Sequence, residues 1–216
     1  MKKVIYILLA VFATLAACSK NDAPDYGQFR NDMVTYTGSE NGAASFCHIN
    51  SAHETSTLVA SNGDMKLEAG KRLLLNYVVQ KELGGNKYQV EMRGYTSVVT
   101  DTLRATSAQK IDEQKMEHIK LRSIWRTGNF LNLHCEVEYT EKTRMLTFLI
   151  DEEKATNEVV DCYLVHDTRE AQTYFWRTLY TSVLLDPILA TAKTLRVHVN
   201  DEINPDKKYY EINLKN

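Results

Sequence analysis

An all-β chain of two units, a small barrel followed by a β-sandwich behind a lipoprotein signal peptide, is the fold class the sequence predicts. Three observations carry it. Short runs rich in β-branched and aromatic residues recur along the chain between Gly/Asn turn signals. One of them, Arg72-Leu73-Leu74-Leu75-Asn76-Tyr77-Val78-Val79, is nearly continuous in apolar residues, as a strand buried on both faces is. A charged stretch from Ala105 to Ile119 without β pattern then divides the series in two.

The N-terminus comes first. Lys2 and Lys3 precede an apolar run from Val4 to Ala13 that ends in Leu15-Ala16-Ala17-Cys18. A basic start, a short apolar core and small residues before a cut describe a secretory signal, and a cysteine just after the small pair is where bacterial lipoprotein processing attaches acyl chains. The run is too short for a membrane span, which needs roughly 20 residues. Cys18 is therefore the expected mature N-terminus and the lipidation site, with acyl chains contributing about 0.8 kcal/mol per buried methylene. Ser19-Lys20-Asn21-Asp22 resembles a Lys-acid-acid surface-export signal that Asn21 interrupts, so both the periplasmic face and the cell surface stay open for an outer-membrane protein.

Residues 18–35 read as a tether, with Pro24 and little periodicity. The barrel is expected over 36–106, with strands at Ala44 to Ile49, Ser56 to Ser61, Arg72 to Gln80, Lys87 to Arg93 and Ser97 to Leu103. Asn62-Gly63-Asp64 and Gly84-Gly85-Asn86 are its clearest turns, since Gly and Asn tolerate the positive φ of tight hairpins. Residues 107–120 are either a linker or a short helix capped by Ser107 with Ile111, Lys115, Met116 and Ile119 on one side. Over 121–216, seven runs at sandwich spacing follow, from Ile124-Trp125 and Phe130 to Tyr139 through to Tyr209 to Leu214.

Loss of residues 1–17 moves the formal charge from −2 to −4, because Lys2 and Lys3 leave with them. With a pI near 6.3 and acids and bases interspersed, nucleic acid is not an expected partner. Of four cysteines, Cys47, Cys135 and Cys162 remain once Cys18 is acylated, so at most one intrachain bridge forms. Cys135 falls on the apolar side of an alternating strand; a Cys135–Cys162 bridge between facing sheets and unpaired core thiols both remain open. No C-x-x-C occurs.

Gly70-Lys71-Arg72-Leu73-Leu74-Leu75-Asn76-Tyr77, followed by Lys87-Tyr88-Gln89-Val90-Glu91-Met92 and Val98-Val99-Thr100, resembles the first domain of the NigD-like lipoproteins of Bacteroidetes. Ile124-Trp125, Asn129-Phe130-Leu131-Asn132-Leu133 and Cys162-Tyr163-Leu164-Val165-His166-Asp167 extend the resemblance over most of the mature chain. It implies an N-terminal OB-type barrel and a C-terminal β-sandwich. It also implies a role, since the family's namesake belongs to a bacteriocin gene cluster as an immunity protein. Two departures stand out: Tyr174-Phe175-Trp176-Arg177 is more aromatic than the family pattern, and Val165 occupies the place of the family's arginine before the histidine.

No G-x-S-x-G, H-E-x-x-H or G-x-x-x-x-G-K-S/T is present, so no catalytic residue, metal ligand or cofactor is expected. His48 and His53 with Glu54 fall short of the three or four convergent ligands zinc needs. His134 falls on the polar face of its strand and reads as solvated. His166 and Asp167, adjacent on a strand, point to opposite faces. The expectation is a lipid-anchored envelope binding protein without catalysis, held by acylated Cys18 and directed at a bacteriocin or another envelope protein. The alternative is carbohydrate binding. OB barrels bind oligosaccharides, the chain has twelve tyrosines and two tryptophans, and Tyr174, Trp176 and Tyr180 alternate along one strand face as a candidate ligand-binding platform.

Overall fold

The computed structural model describes residues 29–63, 65–141 and 145–215. The signal peptide, Cys18 and the chain up to residue 28 lie outside the described residues.

Five strands, β1 (Phe29–Glu40), β2 (Ala43–Ile49), β3 (Thr55–Ala60), β4 (Arg72–Gly84) and β5 (Lys87–Ser97), close into a barrel of order β1-β2-β3-β5-β4. All pairs are antiparallel except β3 with β5. This is the OB-type arrangement the resemblance implies. Two tight hairpins set the register. Asn41 (φ 51°) and Gly42 (φ 79°) join β1 to β2, and Gly85 (φ 60°) and Asn86 (φ 56°) join β4 to β5, both with the paired positive φ that matches strand twist. Val34, Tyr36, Phe46, Leu58, Leu73, Leu75, Tyr77 and Val90 fill the interior. Met65 closes one end, where its carbonyl accepts the Tyr36 hydroxyl at 3.3 Å.

The second unit holds β6 (Val99–Thr102), β7 (Arg104–Thr106), α1 (Ala108–Asp112), β8 (Lys120–Thr127), β9 (Phe130–Thr140), β10 (Met145–Asp151), β11 (Val159–Asp167), β12 (Thr173–Leu184), α2 (Asp186–Leu189), β13 (Thr194–His198) and β14 (Tyr210–Asn213). They form a five-stranded sheet, β14-β13-β11-β10-β7, and a four-stranded sheet, β6-β12-β9-β8. Alternation on β9 aims Leu131, Leu133, Cys135 and Val137 at Phe148, Ile150, Cys162 and Leu164 of the facing sheet. Each such side chain contributes about 1.5–3 kcal/mol on full burial. A buried carboxylate fastens the C-terminal end: Asp201 accepts the Leu121 and Ile203 amides, the Asn204 amide group and the Tyr210 hydroxyl.

Several expected boundaries move. The barrel begins at Phe29, so the tether read over 18–35 extends at most to residue 28. Its last strand ends at Ser97, and 99–106 belong to the sandwich, with β6 pairing β12 and β7 pairing β10. The 107–120 segment is packed structure and not a free linker. α1 follows Ser107, although no side-chain bond caps it. Ile111 is buried against Leu149 and Val165. The helix ends at Asp112, because Met116 and Ile119 are drawn into bridges with His166 and Asp201. No disulfide joins Cys47, Cys135 or Cys162, so the Cys135–Cys162 bridge does not form. No helix among the described residues is long and apolar enough to cross a membrane.

The two units are fastened together, and β4 shows how. Its odd-numbered Leu73, Leu75 and Tyr77 fill the barrel, while Leu74 on the other face joins Met33 and Val98 against Trp125 and Tyr180 of the sandwich. Both faces of β4 are buried because the sandwich covers the barrel wall.

Candidate functional site

At this junction the Arg72 guanidinium is 3% exposed. It donates to Ser182 Oγ (3.3 Å), Thr35 Oγ1 (3.2 Å) and Asn132 Oδ1 (3.0 Å), and lies 4.3 Å from the centre of the Phe130 ring. None of these partners is a carboxylate, and burial lowers its pKa from 12.5 to about 10. Asn132 is oriented in turn by Ser182 Oγ, which donates to its Oδ1 at 2.6 Å, and by Thr127 Oγ1, which accepts from its Nδ2 at 2.8 Å. A second fastening lies at the β8–β9 turn. The Gly128 amide donates to His53 Nδ1 at 3.1 Å, and a Cβ on Gly128 would sit 2.7 Å from Ile49 Cδ1.

Between these fastenings the domains stand apart and leave an open cleft of about 600 Å³. One wall is barrel: Arg30, Asp32 and Met33 of β1, and His48 and Asn50 at the end of β2. The other is the outer face of the four-stranded sheet. Register places Tyr180 opposite His134 and His134 opposite Ser123, with Trp125 in the adjacent row opposite Asn132. The Tyr180 and His134 rings stack at 4.4 Å and 15°. A smaller hollow of about 160 Å³ at the barrel mouth, lined by Tyr77 and Tyr88 among others, shares Arg30, His48 and Asn50 with the cleft.

The cleft lining mixes polar and apolar side chains and carries one arginine against one aspartate. Tyr77 donates its hydroxyl to Asp32 Oδ2 at 2.8 Å, and burial together with Asp32 raises the phenol well above the usual tyrosine range. Burial holds the His48 imidazole below its ordinary value; Asp32 opposes this, and Arg30 and Arg72 add to the lowering. The same direction holds for His134, through burial and Arg122. Ser56 Oγ, His48 and Asp32 lie in the order of a hydrolytic triad, with Ser56 Oγ 3.3 Å from His48 Nδ1; His48 Nε2 stands 4.0 Å from Asp32 Oδ2, beyond hydrogen-bond distance, and Tyr77 donates to that same oxygen. Among the described residues, no group of three His, Cys, Asp or Glu side chains converges.

Of the three residues expected to form a ligand platform, Tyr180 sits in the cleft and Trp176 lies further along the same face, where the Lys120 ammonium covers its ring at 3.8 Å. Tyr174 does not join them. The register slips between Thr173 and Trp176, so Tyr174 and Phe175 both lie opposite the single Tyr139, and their rings lie 6.4 and 4.9 Å from its ring. That bulge removes Tyr174 from the alternation; it is exposed and donates to Glu141 Oε1. Lipidation at Cys18 falls outside the described residues. His134, expected to be solvated, is half-covered by Tyr180, and His53 is a domain contact. His166 is buried beside the His118 carbonyl, whereas Asp167 accepts the Arg169 amide, so the two do face apart. Arg30, Asp32 and Trp125 carried no sequence signal as site residues, and His48 was singled out only as an insufficient zinc ligand. The one available clue was the doubly buried run of β4, which announces a barrel wall covered by something else.

Fold and site together define a two-domain, all-β protein, an OB-type barrel docked on a sandwich with an open cleft between them. Residues 101–214 match the NigD-like C-terminal beta sandwich domain. The chain belongs to the NigD-like family. Its structure is similar to those of three Bacteroides proteins. A protein of unknown function from Bacteroides vulgatus superposes with a TM-score of 0.70 at 15% identity, over 85% of this chain and 89% of that one. A candidate lipoprotein from Bacteroides fragilis gives 0.62 at 12% identity, over 87% and 99%. A NigD-like immunity protein from Bacteroides caccae gives 0.56 at 19%, over 86% and 91%. At these identities the likeness is one of fold. No functionally curated protein matches the chain.

Proposed function

We propose that this chain is a lipid-anchored, non-catalytic binding protein of the cell envelope, of the immunity type for which its Bacteroides caccae neighbour is named, which acts by holding a ligand between barrel and sandwich. The observation that carries the reading is the cleft itself, a pre-formed hollow of about 600 Å³, within the roughly 300–1,000 Å³ of ligand sites. The Arg72 network holds its two walls in place. The 4.0 Å gap between His48 Nε2 and Asp32 Oδ2 supports binding over hydrolysis.

The tether supports capture close to the membrane. Residues 19–28 separate the acylation site from Phe29 and span at most about 35 Å when extended. β1 then enters the cleft wall directly, at Arg30. A site confined near the outer membrane has a high effective concentration toward anything crossing there, so modest affinity suffices for sequestration.

The test is in-cell crosslinking of C-terminally tagged protein. Wild type is expected to retain a species that the Ser123→Trp protein, with its cleft filled from an exposed rim position, does not. Identical recovery from both, or nothing above the filled variant, contradicts the reading. Cys18→Ala is expected to move the protein to the soluble fraction; firm retention in the membrane contradicts the anchor.

A further inference from the structure

The lining of the cleft narrows what it holds, given the binding reading above. Its sandwich wall offers flat π surface from three adjacent strands: the Tyr180 ring stacked on His134, and the Trp125 indole one row away, both anchored at the cleft's inner end where Met33 and Leu74 of the barrel and Val98 pack against them. Its barrel wall offers short or planar hydrogen-bonding groups in Asn31, Asp32, His48 and Asn50, with Arg30 at the entrance. The lining holds one arginine, one aspartate and no lysine, so it lacks the concentrated charge of a site for polyanions. Neither does it offer the continuous apolar groove that an amphipathic helix requires. On the barrel side β1 is paired to β2 and β4, which leaves no strand edge there for an extended peptide.

Aromatic faces opposite planar polar side chains match one chemical class closely. A pyranose ring carries C–H groups on its faces, which lie against π surface, and hydroxyls on its rim, which both donate and accept hydrogen bonds. Imidazoles held neutral by burial, as His48 and His134 are, can likewise do both. The site is also longer than one ring. Arg30, His48 and Asn50 are shared with the hollow at the barrel mouth, where Tyr77 and Tyr88 lie. In the other direction the same sheet face continues to Trp176, four residues and about 13 Å along β12 from Tyr180.

We infer that the cleft is an oligosaccharide-binding site in which one sugar ring lies on Trp125 and Tyr180, its hydroxyls meet Asp32, His48 and Asn50, and the chain continues toward the barrel mouth.

The experiment probes purified protein with a printed array of hexose, N-acetylhexosamine and uronic-acid oligosaccharides, followed by titration of the strongest binder. The titration uses the Trp176→Phe protein, whose remaining indole is Trp125. The expected result is binding to a subset of the array, a shift in Trp125 emission on titration, and at least tenfold weaker binding by Trp125→Ala and Asp32→Ala. Ser51→Trp fills the cleft from an exposed position and should abolish binding in a protein of unchanged far-UV spectrum, which guards against misfolding of the Trp125 variant. A silent array, or binding that survives Ser51→Trp, overturns the inference. If the array is silent while crosslinking still captures a species sensitive to Ser123→Trp, the capture reading stands and its ligand is not a glycan. If both fail, both readings fall.

Discussion

Truncating Arg72 is the perturbation with the most calculable outcome. In place, the guanidinium is buried, and the fall of its pKa from 12.5 to about 10 corresponds to about 3 kcal/mol against the charged form. Three hydrogen bonds from a charged donor oppose this, at roughly 1.5–3 kcal/mol each. The Phe130 contact adds about 1 kcal/mol. At the low end of these ranges the balance favours the native arrangement by roughly 3 kcal/mol, and the cavity Arg72→Ala leaves at the junction adds to that floor. We therefore expect Arg72→Ala to lose at least about 3 kcal/mol, and Arg72→Lys about 2 kcal/mol, because an ammonium cannot reproduce the planar fork. The assay is urea unfolding followed by two signals. Tryptophan fluorescence reports the sandwich, which holds both Trp125 and Trp176, while far-UV circular dichroism reports both domains. Wild type should show coincident transitions, and Arg72→Ala should separate them. A loss below about 1 kcal/mol with transitions still coincident would refute the assignment of Arg72 as the domain fastener.

Three further outcomes follow from the same geometry. His48 and His134 are held below the ordinary 6.5, so the unfolded chain binds more protons once pH falls below that value; stability should drop between pH 7 and 5, and the His48→Gln/His134→Asn double variant should flatten that slope in pH-dependent urea titrations. Burial pushes Asp201 upward, but Tyr210, Asn204 and the Leu121 and Ile203 amides outweigh it and hold the carboxyl below 3.8; its contribution is present above that pH and lost on acidification below it, and Asp201→Asn should cost about 2 kcal/mol at neutral pH by thermal unfolding. Gly128→Ala must accept a Cβ at φ +55° only 2.7 Å from Ile49 Cδ1, so it should cost about 1–2 kcal/mol; a double-mutant cycle should show that Ile49→Ala costs less in that background than alone.

The strands with clean alternation or dense apolar content were legible from sequence, and so was the order of barrel before sandwich. β1 was not, because Asn31 and Asp32, residues depleted from strands, interrupt it where it lines the cleft. The domain boundary was misplaced because charge and missing β pattern mark the surface character of 107–118. They do not mark a break in packing: α1 still buries Ile111, and the chain crosses between domains a few residues earlier, between β5 and β6. Of the expected platform, Trp176 and Tyr180 share a face as simple alternation requires, whereas the bulge opposite Tyr139 shifts Tyr174 by one residue, an event periodicity cannot register. The cleft was invisible for a more general reason. Its residues come from β1, β2 and the turn after it, β4, β8, β9 and β12, and only tertiary docking, fastened by the polar pair Arg72 and Asn132 within otherwise apolar runs, assembles them.

The central claim is that the ligand is held at the domain junction, and photocrosslinking in the native envelope tests it most directly. A photoreactive residue in place of Ser51, on the cleft rim, should yield a discrete adduct, and one in place of Glu211, exposed on the five-stranded sheet, should not. Equal adducts from both positions, or an adduct from Glu211 alone, would contradict the account.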